Sequence, residues 1–333
     1  MFFVIYIYFF WMRVSVVFAT RANEQSFPHL ERILWALNQQ IFQDFKVLIV
    51  CDKKFSEKEY SDFLSFIQGL SLDVLEKTEI FTHLNADFNE HHTWGASYVR
   101  NYGLKKVDTE LVQLFDDDNG FDEWYLQRAV EYYDDFRRQQ QTEIVITPTL
   151  MYRDTSHIQN QGFSSFCYWQ SRPVLHLLKS DEKYGNIQMF SWNGLLGNTK
   201  FFQSVLYDED IAWIAEDLDF TLSLHEQEVK LFSFVDLIVR HYERDKKRLE
   251  ESWIGSQKQA HQKARNRFLF VYKHGTTCDK TVFWCIGLPG CLVWLSLKAL
   301  RLGKKDSFWI IKGLFQGCRE GWKVVKEKSR ERK

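Results

Sequence analysis

The sequence contains little proline and little glycine, with four and 16 residues respectively among 333. This scarcity excludes collagen-like chains and low-complexity chains rich in the two residues. Intrinsic disorder is excluded as well, because hydrophobic residues make up 45% and aromatic residues 17% of the chain, enough to build a large core. The length is about twice the roughly 150 residues of a typical domain, so we expect one large domain with an appendage, or two domains.

The six cysteines include no C-x-x-C pair, and three of them lie in or beside one apolar stretch near the C-terminus. This arrangement indicates neither a disulfide framework nor a zinc site. We expect thiols that are buried or face a membrane, in a reducing compartment.

The N-terminus lacks the features of an export signal. No basic residue precedes the apolar run at residues 2–12, and this run is shorter than the about 20 helical residues that cross a bilayer. Cleavage near the small residue Ala19 would also remove residues 14–18, which have the pattern of a buried strand. We therefore interpret residues 1–12 as an apolar lead-in or a weak membrane contact.

The net charge of −1 averages two unlike parts of the chain. Residues 298–333 carry a net charge of +8, whereas all the preceding residues together carry −9. Such asymmetry suggests contact with a nucleic acid or a membrane surface. Aromatic and apolar residues recur at helical spacing within the basic tail, which suits a bilayer better than a phosphate groove. We therefore expect no nucleic-acid partner.

The apolar segment near the C-terminus has three open interpretations. Residues 281–297 contain no charged side chain and as a helix would reach roughly 25 Å, slightly less than a bilayer core of about 30 Å. Lys298 and Arg301 can snorkel to head groups, and Pro289-Gly290 favours a kink. The three interpretations are an embedded or re-entrant helix, an in-plane anchor, and one helix of a soluble helical pair. The first two predict attachment to an anionic, cytoplasmic membrane face.

Short apolar runs alternate with helical patterns through the first half of the chain. The runs predict strands at residues 14–19, 47–51, 111–115 and 143–147. The helical patterns predict helices at residues 27–39, 56–68, 96–106 and 123–138. This alternation is typical of an α/β domain with a mostly parallel central sheet flanked by helices. Beyond the aperiodic residues 151–198, which suit a substrate-facing insertion, we predict a helix at 214–224, a strand at 231–239 and a helix at 248–273.

Three consecutive carboxylates, Asp116, Asp117 and Asp118, follow the strand predicted at residues 111–115. Ligands of open α/β sheets bind outside the carboxyl ends of the strands, and three adjacent carboxylates favour a cation among them. Mg2+ typically binds one or two carboxylates together with substrate phosphates. The segment therefore predicts a nucleotide–metal site, and the alternative is a solvated acidic loop that caps the next helix.

Five motifs follow one another along residues 13–245. They are VSVVFATRANE at residues 14–24, GASYVRNYGL at 95–104, the D-x-D element at 116–118, the pair Glu216-Asp217, and the strand-end His241. In order and spacing they resemble the family 2 inverting glycosyltransferases of GT-A fold. A later stretch, ARNRFLFVYKH at residues 264–274, is similar to the bacterial membrane-associated, rhamnosyltransferase-like members of that family.

The resemblance implies transfer of a single sugar from a nucleotide-diphosphate sugar to a hydroxyl acceptor. Asp217 would be the general base, supported by Glu216. A divalent metal, Mg2+ or Mn2+, would be held by Asp118, Asp116 and His241. The donor would be bound by a further set of residues: Thr20, Arg21, Glu24, Asp52, Arg100, Asp116 and Asp117.

Two departures from the family pattern limit these expectations. The second strand ends in Cys51-Asp52-Lys53-Lys54 where the family has D-D-G-S, so donor identity stays open although Asp52 can still contact the base. No Q-x-x-R-W follows Glu216-Asp217, which favours single-residue transfer over processive synthesis. His91, His92 and His274 match no motif, and we expect them to be structural.

Two other functions compete with this one. A nucleotidyl- or phosphotransferase would carry a Gly-rich, Lys-bearing phosphate loop after the first strand, and residues 20–23 are not such a loop. A catalytically silent, membrane-bound scaffold of the same fold would have lost its chemistry, whereas Asp118, Asp217 and His241 are all present.

We predict three parts of the chain. Residues 1–12 are the lead-in, and residues 13–245 form a GT-A catalytic domain with a donor half at about 13–120 and an acceptor half at about 121–245. Residues 246–333 form C-terminal helices with the apolar segment 281–302 and a basic amphipathic tail. We expect a glycan or lipid-linked acceptor of surface-polysaccharide synthesis, and attachment of residues 281–333 to the cytoplasmic face of the plasma (inner) membrane.

Overall fold

The computed structural model describes eight stretches of the chain: residues 12–84, 95–153, 155–168, 172–179, 181–211, 214–242, 257–301 and 304–331. The expectations for residues 1–11, for His91 and His92, and for the start of the helix predicted at 248–273 lie outside them. The chain divides into two compact units. The first comprises Met1–Gly162, Leu175–Tyr207 and Phe220–Glu243, and the second comprises Phe163–Val174, Asp208–Asp219 and Arg244–Lys333.

The first unit is built on one ten-stranded sheet. The strands of the described chain are β1 (Val14–Thr20), β2 (Phe45–Cys51), β3 (Thr78–Phe81), β4 (Leu111–Asp116), β5 (Asn119–Gly120), β6 (Ile144–Tyr152), β7 (Ile158–Asn160), β8 (Phe163–Cys167), β9 (Arg172–Leu175), β10 (Tyr184–Ile187), β11 (Leu195–Asn198) and β12 (Lys230–His241). The order in the sheet is β10-β12-β6-β11-β4-β1-β2-β3, with β5 paired to β12 and β7 to β6. All five strands predicted from the sequence are therefore confirmed, as β1, β2, β4, β6 and β12.

The sheet is mixed but mostly parallel, as expected from the sequence, because six of its ten strands run in one direction: β1, β2, β3, β4, β6 and β12. β1 pairs in parallel with β2 and β4, and so do β2 with β3 and β6 with β12. β11 instead lies antiparallel between β4 and β6, and β10 runs antiparallel to β12. β10 and β11 come from the aperiodic residues 151–198, where four-residue strands are too short to show a period.

The helices of the first unit pack on this sheet. They are α1 (Phe27–Asn38), α2 (Glu57–Gly69), α3 (Ala96–Lys106), α4 (Tyr125–Gln140), α5 (Thr199–Val205) and the later part of α6 (Glu216–Glu226). α2 begins at the predicted capping box, in which the Oγ atom of Ser56 accepts a hydrogen bond from the Glu59 amide and Glu59 Oε2 accepts one from the Ser56 amide. α1 buries the four residues of its predicted apolar face: Leu30, Ile33, Leu34 and Leu37.

The second unit contains the pair β8-β9 and a set of C-terminal helices. These helices are α7 (Gln257–His274), α8 (Thr277–Val282), α9 (Leu288–Arg301) and α10 (Lys304–Glu331). α10 packs on α7 through three glycines spaced four residues apart, because a Cβ at any of them would overlap a backbone carbonyl of α7: Gly313 meets Gln257, Gly317 meets His261, and Gly321 meets Arg265. This close approach of two backbones requires glycine.

The apolar segment around Pro289 stays helical in the structure. A π-helical turn at Phe283–Gly287 joins α8 to α9, and the Leu288 amide donates to the Phe283 carbonyl five residues earlier. Because proline lacks an amide hydrogen and its ring clashes with the carbonyl four residues before it, the wider turn accommodates Pro289 without ending the helix. Over the described part of the chain, none of the helices combines the length and the apolar character that a membrane span needs.

Candidate functional site

The ends of three strands of the main sheet bring the predicted metal ligands together. β1 and β4 are parallel neighbours, with Ala19 opposite Asp116 in the register. The chain then turns back at once, so that Asn119 in β5 pairs with His241 at the end of β12. The Tyr242 amide also donates to the Asp118 carbonyl at 2.9 Å. The turn is therefore held by β12, which is distant in sequence.

Asp116, Asp118 and His241 form a group that has the geometry of a metal site, because one ligand atom from each lies within 4.8 Å of the others. The Nε2 atom of His241 lies 3.1 Å from Oδ2 of Asp118. The Oδ1 atom of Asp118 is buried and has no hydrogen-bond partner among the described residues. The structure thus unites the three side chains that the sequence proposes as metal ligands.

The protonation of Asp118 is set by its surroundings. Burial alone would raise the pKa of this carboxyl, but the charge of His241, its hydrogen bond to Asp118, and the charge of His29 together lower the pKa below its ordinary value. The Nδ1 atom of His241 lies 3.1 Å from Oε1 of Gln159. With an Nδ1–H that donates to this oxygen, the Nε2 atom beside Asp118 carries the lone pair that can bind a cation.

Arg100 lies beside the same carboxylates. Its guanidinium donates to Oδ1 of Asp116 at 2.9 Å and is almost fully buried. The ring of Trp192 supports it, since the Arg100 guanidinium carbon lies 4.5 Å from the ring centroid, and the Trp192 indole donates to the Phe115 carbonyl in β4. Arg100 is therefore fixed as a positive charge at the end of β4.

Asp117 links two loops of the site through a side-chain hydrogen bond. Its Oδ2 atom accepts a hydrogen bond of 2.6 Å from the Thr20 hydroxyl at the end of β1. The Thr20 oxygen in turn accepts from the Ala22 amide at 3.1 Å, and Ala22 has a positive φ of 45°. These bonds fix the turn after β1 against the turn after β4, so the two loops form one edge.

Asp52 and Arg21 extend this edge. The Asp52 amide donates to the Thr20 carbonyl at 2.7 Å, while the Oδ1 atom of Asp52 is buried and has no hydrogen-bond partner in the described chain. Burial raises the pKa of the Asp52 carboxyl, and the charges of Arg21 and Arg100 reduce this rise. Glu24 is exposed in the loop between β1 and α1.

Glu216 and Asp217 occupy the first turn of α6, where negative side chains interact favourably with the helix dipole. Glu216 is buried and Asp217 is half-buried. The Leu218 amide donates to Oδ1 of Asp217 at 2.9 Å. Ala215, directly before them, has a positive φ of 69°. Both carboxylates belong to the second compact unit, whereas the metal-site group belongs to the first.

Two residues of the site were not found from the sequence: Gln159, which contacts His241, and Trp192, which supports Arg100. Both lie in the aperiodic residues 151–198. A glutamine within a three-residue strand and a tryptophan in a loop have no spacing that marks them, so no signal in this one sequence could have found them.

No protein-family model matches this chain, and no curated protein sequence matches it. Solved structures do resemble it. The TarS 1-349 fragment of S. aureus in complex with UDP-GlcNAc has a TM-score of 0.54 and 14% identity, covering 96% of this chain and 92% of that one. The structure of S. aureus TarS 1-349 has a TM-score of 0.50 and 15% identity, covering 97% of this chain and 92% of that one.

GalNAc-T7 with UDP, GalNAc and Mn2+ is a further similar structure, with a TM-score of 0.55 and 13% identity. The match covers 71% of this chain and 44% of that one. At identities this low the likeness shows a shared fold alone, and the predicted α/β class is confirmed.

Proposed function

We propose that the protein is an inverting glycosyltransferase that moves one sugar from a nucleotide-diphosphate sugar to a hydroxyl acceptor. The observation that carries the proposal is the group of Asp116, Asp118 and His241 at one sheet edge, next to the buried Arg100. The fold supports it, since the similar structures contain UDP-GlcNAc in TarS and UDP, GalNAc and Mn2+ in GalNAc-T7. Membership of family 2 rests on the motifs alone.

The residues present fit a divalent metal. A buried carboxylate oxygen without a partner is unfavourable, and Oδ1 of Asp118 is such an oxygen. Carboxylates suit Mg2+ and Mn2+, while an imidazole ligand favours transition metals, so the set of Asp116, Asp118 and His241 fits Mn2+ well. When bound, the metal would neutralise charge on the diphosphate leaving group.

The donor would lie along the edge formed by the loops after β1, β2 and β4. Oδ1 of Asp52 is buried without a partner, so it can accept a hydrogen bond from a nucleotide base. Arg100 and Arg21 would contact the diphosphate by charge-assisted bonds. Asp117 and Thr20 would act by holding the two loops together, because their side chains bond to each other.

In the reaction, the acceptor oxygen attacks the anomeric carbon while the bond from that carbon to the diphosphate oxygen breaks. The acceptor hydroxyl proton goes to the carboxylate of Asp217, which we assign as the general base. Direct displacement by one nucleophile inverts the anomeric configuration. Glu216 is buried beside Asp217 and supports this end of the acceptor site.

The acceptor class and location are further parts of the proposal. We infer a glycan or lipid-linked intermediate of surface polysaccharide as acceptor, at the cytoplasmic face of the plasma membrane. The stretch at residues 264–274 and the basic tail from residue 298 support this inference. The absence of Q-x-x-R-W after Glu216-Asp217 favours single-residue transfer.

A thermal-shift screen against nucleotide-diphosphate sugars, with and without Mn2+ or Mg2+, tests the proposal. One donor present at about 100 times its Kd should add about 2.7 kcal/mol to stability, and only with the metal. Asp118→Ala should abolish this gain, whereas Glu123→Gln, an exposed carboxylate near the same sheet edge, should keep it.

The screen also separates the competing functions. Stabilisation by nucleoside triphosphates in place of nucleotide sugars would assign a nucleotidyl- or phosphotransferase. Stabilisation by a donor without turnover of any acceptor or of water would favour a catalytically silent scaffold. Equal stabilisation of wild type and Asp118→Ala would refute the assigned metal ligand.

A further inference from the structure

One side of α10 is lined alternately by aromatic and basic residues. Its members, hereafter the aromatic–basic stripe, are Phe308, Lys312, Phe315, Arg319, Trp322 and Lys326. Successive members are four or three residues apart, which places them all on one side of the helix. All six are exposed, and the exposed fractions of Phe308, Phe315 and Trp322 are 63%, 59% and 51%.

The stripe takes no part in the packing of α10 on α7. The opposite side of α10 supplies Ile310 and Leu314 to a small core with Ala260 and Ala264 of α7. Large rings left in water lose the free energy that burial of their apolar surface would contribute. Three exposed rings in one row therefore indicate a surface that is covered by a partner.

Apolar exposure continues on the segment before α10. The ring of Trp284 lies edge-on to that of Trp322, with centroids 4.9 Å apart. Beyond Trp284, four aliphatic residues spaced seven, four and three apart are exposed by 55% to 61%: Ile286, Val293, Leu297 and Leu300. This spacing places them on one side of the helical segment.

The charge of the stripe is positive throughout its length. Two acidic residues of α10, Glu320 and Glu327, lie outside it and have other partners. The carboxylate of Glu320 lies 2.7 Å from Arg265 of α7, and that of Glu327 lies 3.8 Å from Lys323. A partner that matches the stripe must therefore offer negative groups to the basic residues and an apolar environment to the aromatic rings.

We propose that the aromatic–basic stripe docks in the plane of a bilayer containing anionic phospholipids. Aromatic rings are favourable at the head-group level, and Lys and Arg near the surface are attracted to anionic lipids. At ~1.5 Å per residue the stripe is about 27 Å long. Docking along that length attaches the chain without requiring a spanning helix. It rests on the membrane location in the proposed function, whereas the catalytic assignment is tested separately by the donor screen.

Vesicle co-sedimentation of the full chain tests the proposal, using phosphatidylcholine vesicles with and without phosphatidylglycerol. We expect wild type to bind the anionic vesicles about tenfold or more tightly than the neutral ones. The variant with Lys312→Glu, Arg319→Glu and Lys326→Glu should lose that preference. The variant with Phe308→Ser, Phe315→Ser and Trp322→Ser should lose binding to both kinds of vesicle.

A matched control carries the same charge change elsewhere: Lys58→Glu, Lys105→Glu and Lys200→Glu are exposed positions of the first unit. This control should bind as wild type does, and thermal unfolding should show all variants folded. The proposal is overturned when wild type binds neither vesicle, or when the stripe variants bind as the control does. A dimer that the stripe variants convert to a monomer, without change in vesicle binding, would assign the stripe to a second copy of the chain.

Discussion

His274 of α7 and Asp219 of α6 are completely buried side chains, and the Nε2 atom of the histidine lies 2.7 Å from Oδ1 of the aspartate. The second carboxylate oxygen accepts a hydrogen bond of 2.7 Å from Lys273. Asp219 thus has partners on both oxygens. Because Asp219 follows Asp217 by two residues, these bonds tether the helix start that carries Glu216 and Asp217 to α7.

Replacement of His274 by alanine should lower the free energy of unfolding by about 3–5 kcal/mol, because it leaves the buried Asp219 with one partner fewer. Urea denaturation followed by circular dichroism measures the loss. His157→Ala, at an exposed position, should change stability by less than about 0.5 kcal/mol. Similar small losses for both variants would contradict a stabilising role of the pair.

Asp217→Asn should reduce kcat by about 10²–10⁴-fold, because an amide cannot take the proton of the acceptor hydroxyl. Donor affinity should change less than about twofold, since the donor edge is built from other residues. Steady-state kinetics and nucleotide titration measure the two quantities. Glu226→Gln at the other end of the same helix should leave both unchanged, and full turnover by Asp217→Asn would remove the base assignment.

The buried carboxyl of Asp52 should make the stability of the unliganded protein depend on pH. Burial raises the pKa of its carboxyl above the ordinary value of 3.8. The contribution of Asp52 to the free energy of unfolding is therefore most favourable at a pH below 3.8 and is lost as the pH rises through the folded-state pKa. Asp52→Asn should therefore raise Tm at pH 7, with a gain that shrinks toward pH 4, and should weaken nucleotide binding. Differential scanning fluorimetry checks this, with the exposed Asp62→Asn as control; a gain that grows toward low pH would contradict it.

Two glycine-to-alanine substitutions should act in opposite directions. At Gly317 a Cβ would overlap the His261 carbonyl, so alanine should destabilise the protein by about 1–3 kcal/mol. At Gly290 of α9 no atom lies within 4 Å of the added Cβ, so alanine should stabilise by up to about 1 kcal/mol. Thermal or urea unfolding measures the change in the free energy of unfolding for each variant. Changes of the same sign in the two variants would contradict the close packing of α7 and α10.

Much of the fold follows from local patterns. The strands β1, β2, β4, β6 and β12 and the capped start of α2 were predicted because buried parallel strands and helix N-termini have short-range signatures. The antiparallel β10 and β11 were missed, since four-residue strands depend on distant partners for their pairing. The roles of the three carboxylates at the end of β4 came from the family resemblance alone, whereas the structure shows that Asp116 accepts a hydrogen bond from Arg100 and Asp117 accepts one from Thr20.

The sequence by itself determined the alternation of strands and helices, the carboxylates at a strand end and the alternating stripe of α10. Each of these is a local pattern that can be read within one segment of the chain. Only the tertiary structure decided that His241 lies beside Asp118, that Gln159 and Trp192 support the site, and that the stripe is left uncovered. Those facts depend on which strands and helices pair across long sequence separations, and such pairing results from the packing of the whole core rather than from any one segment.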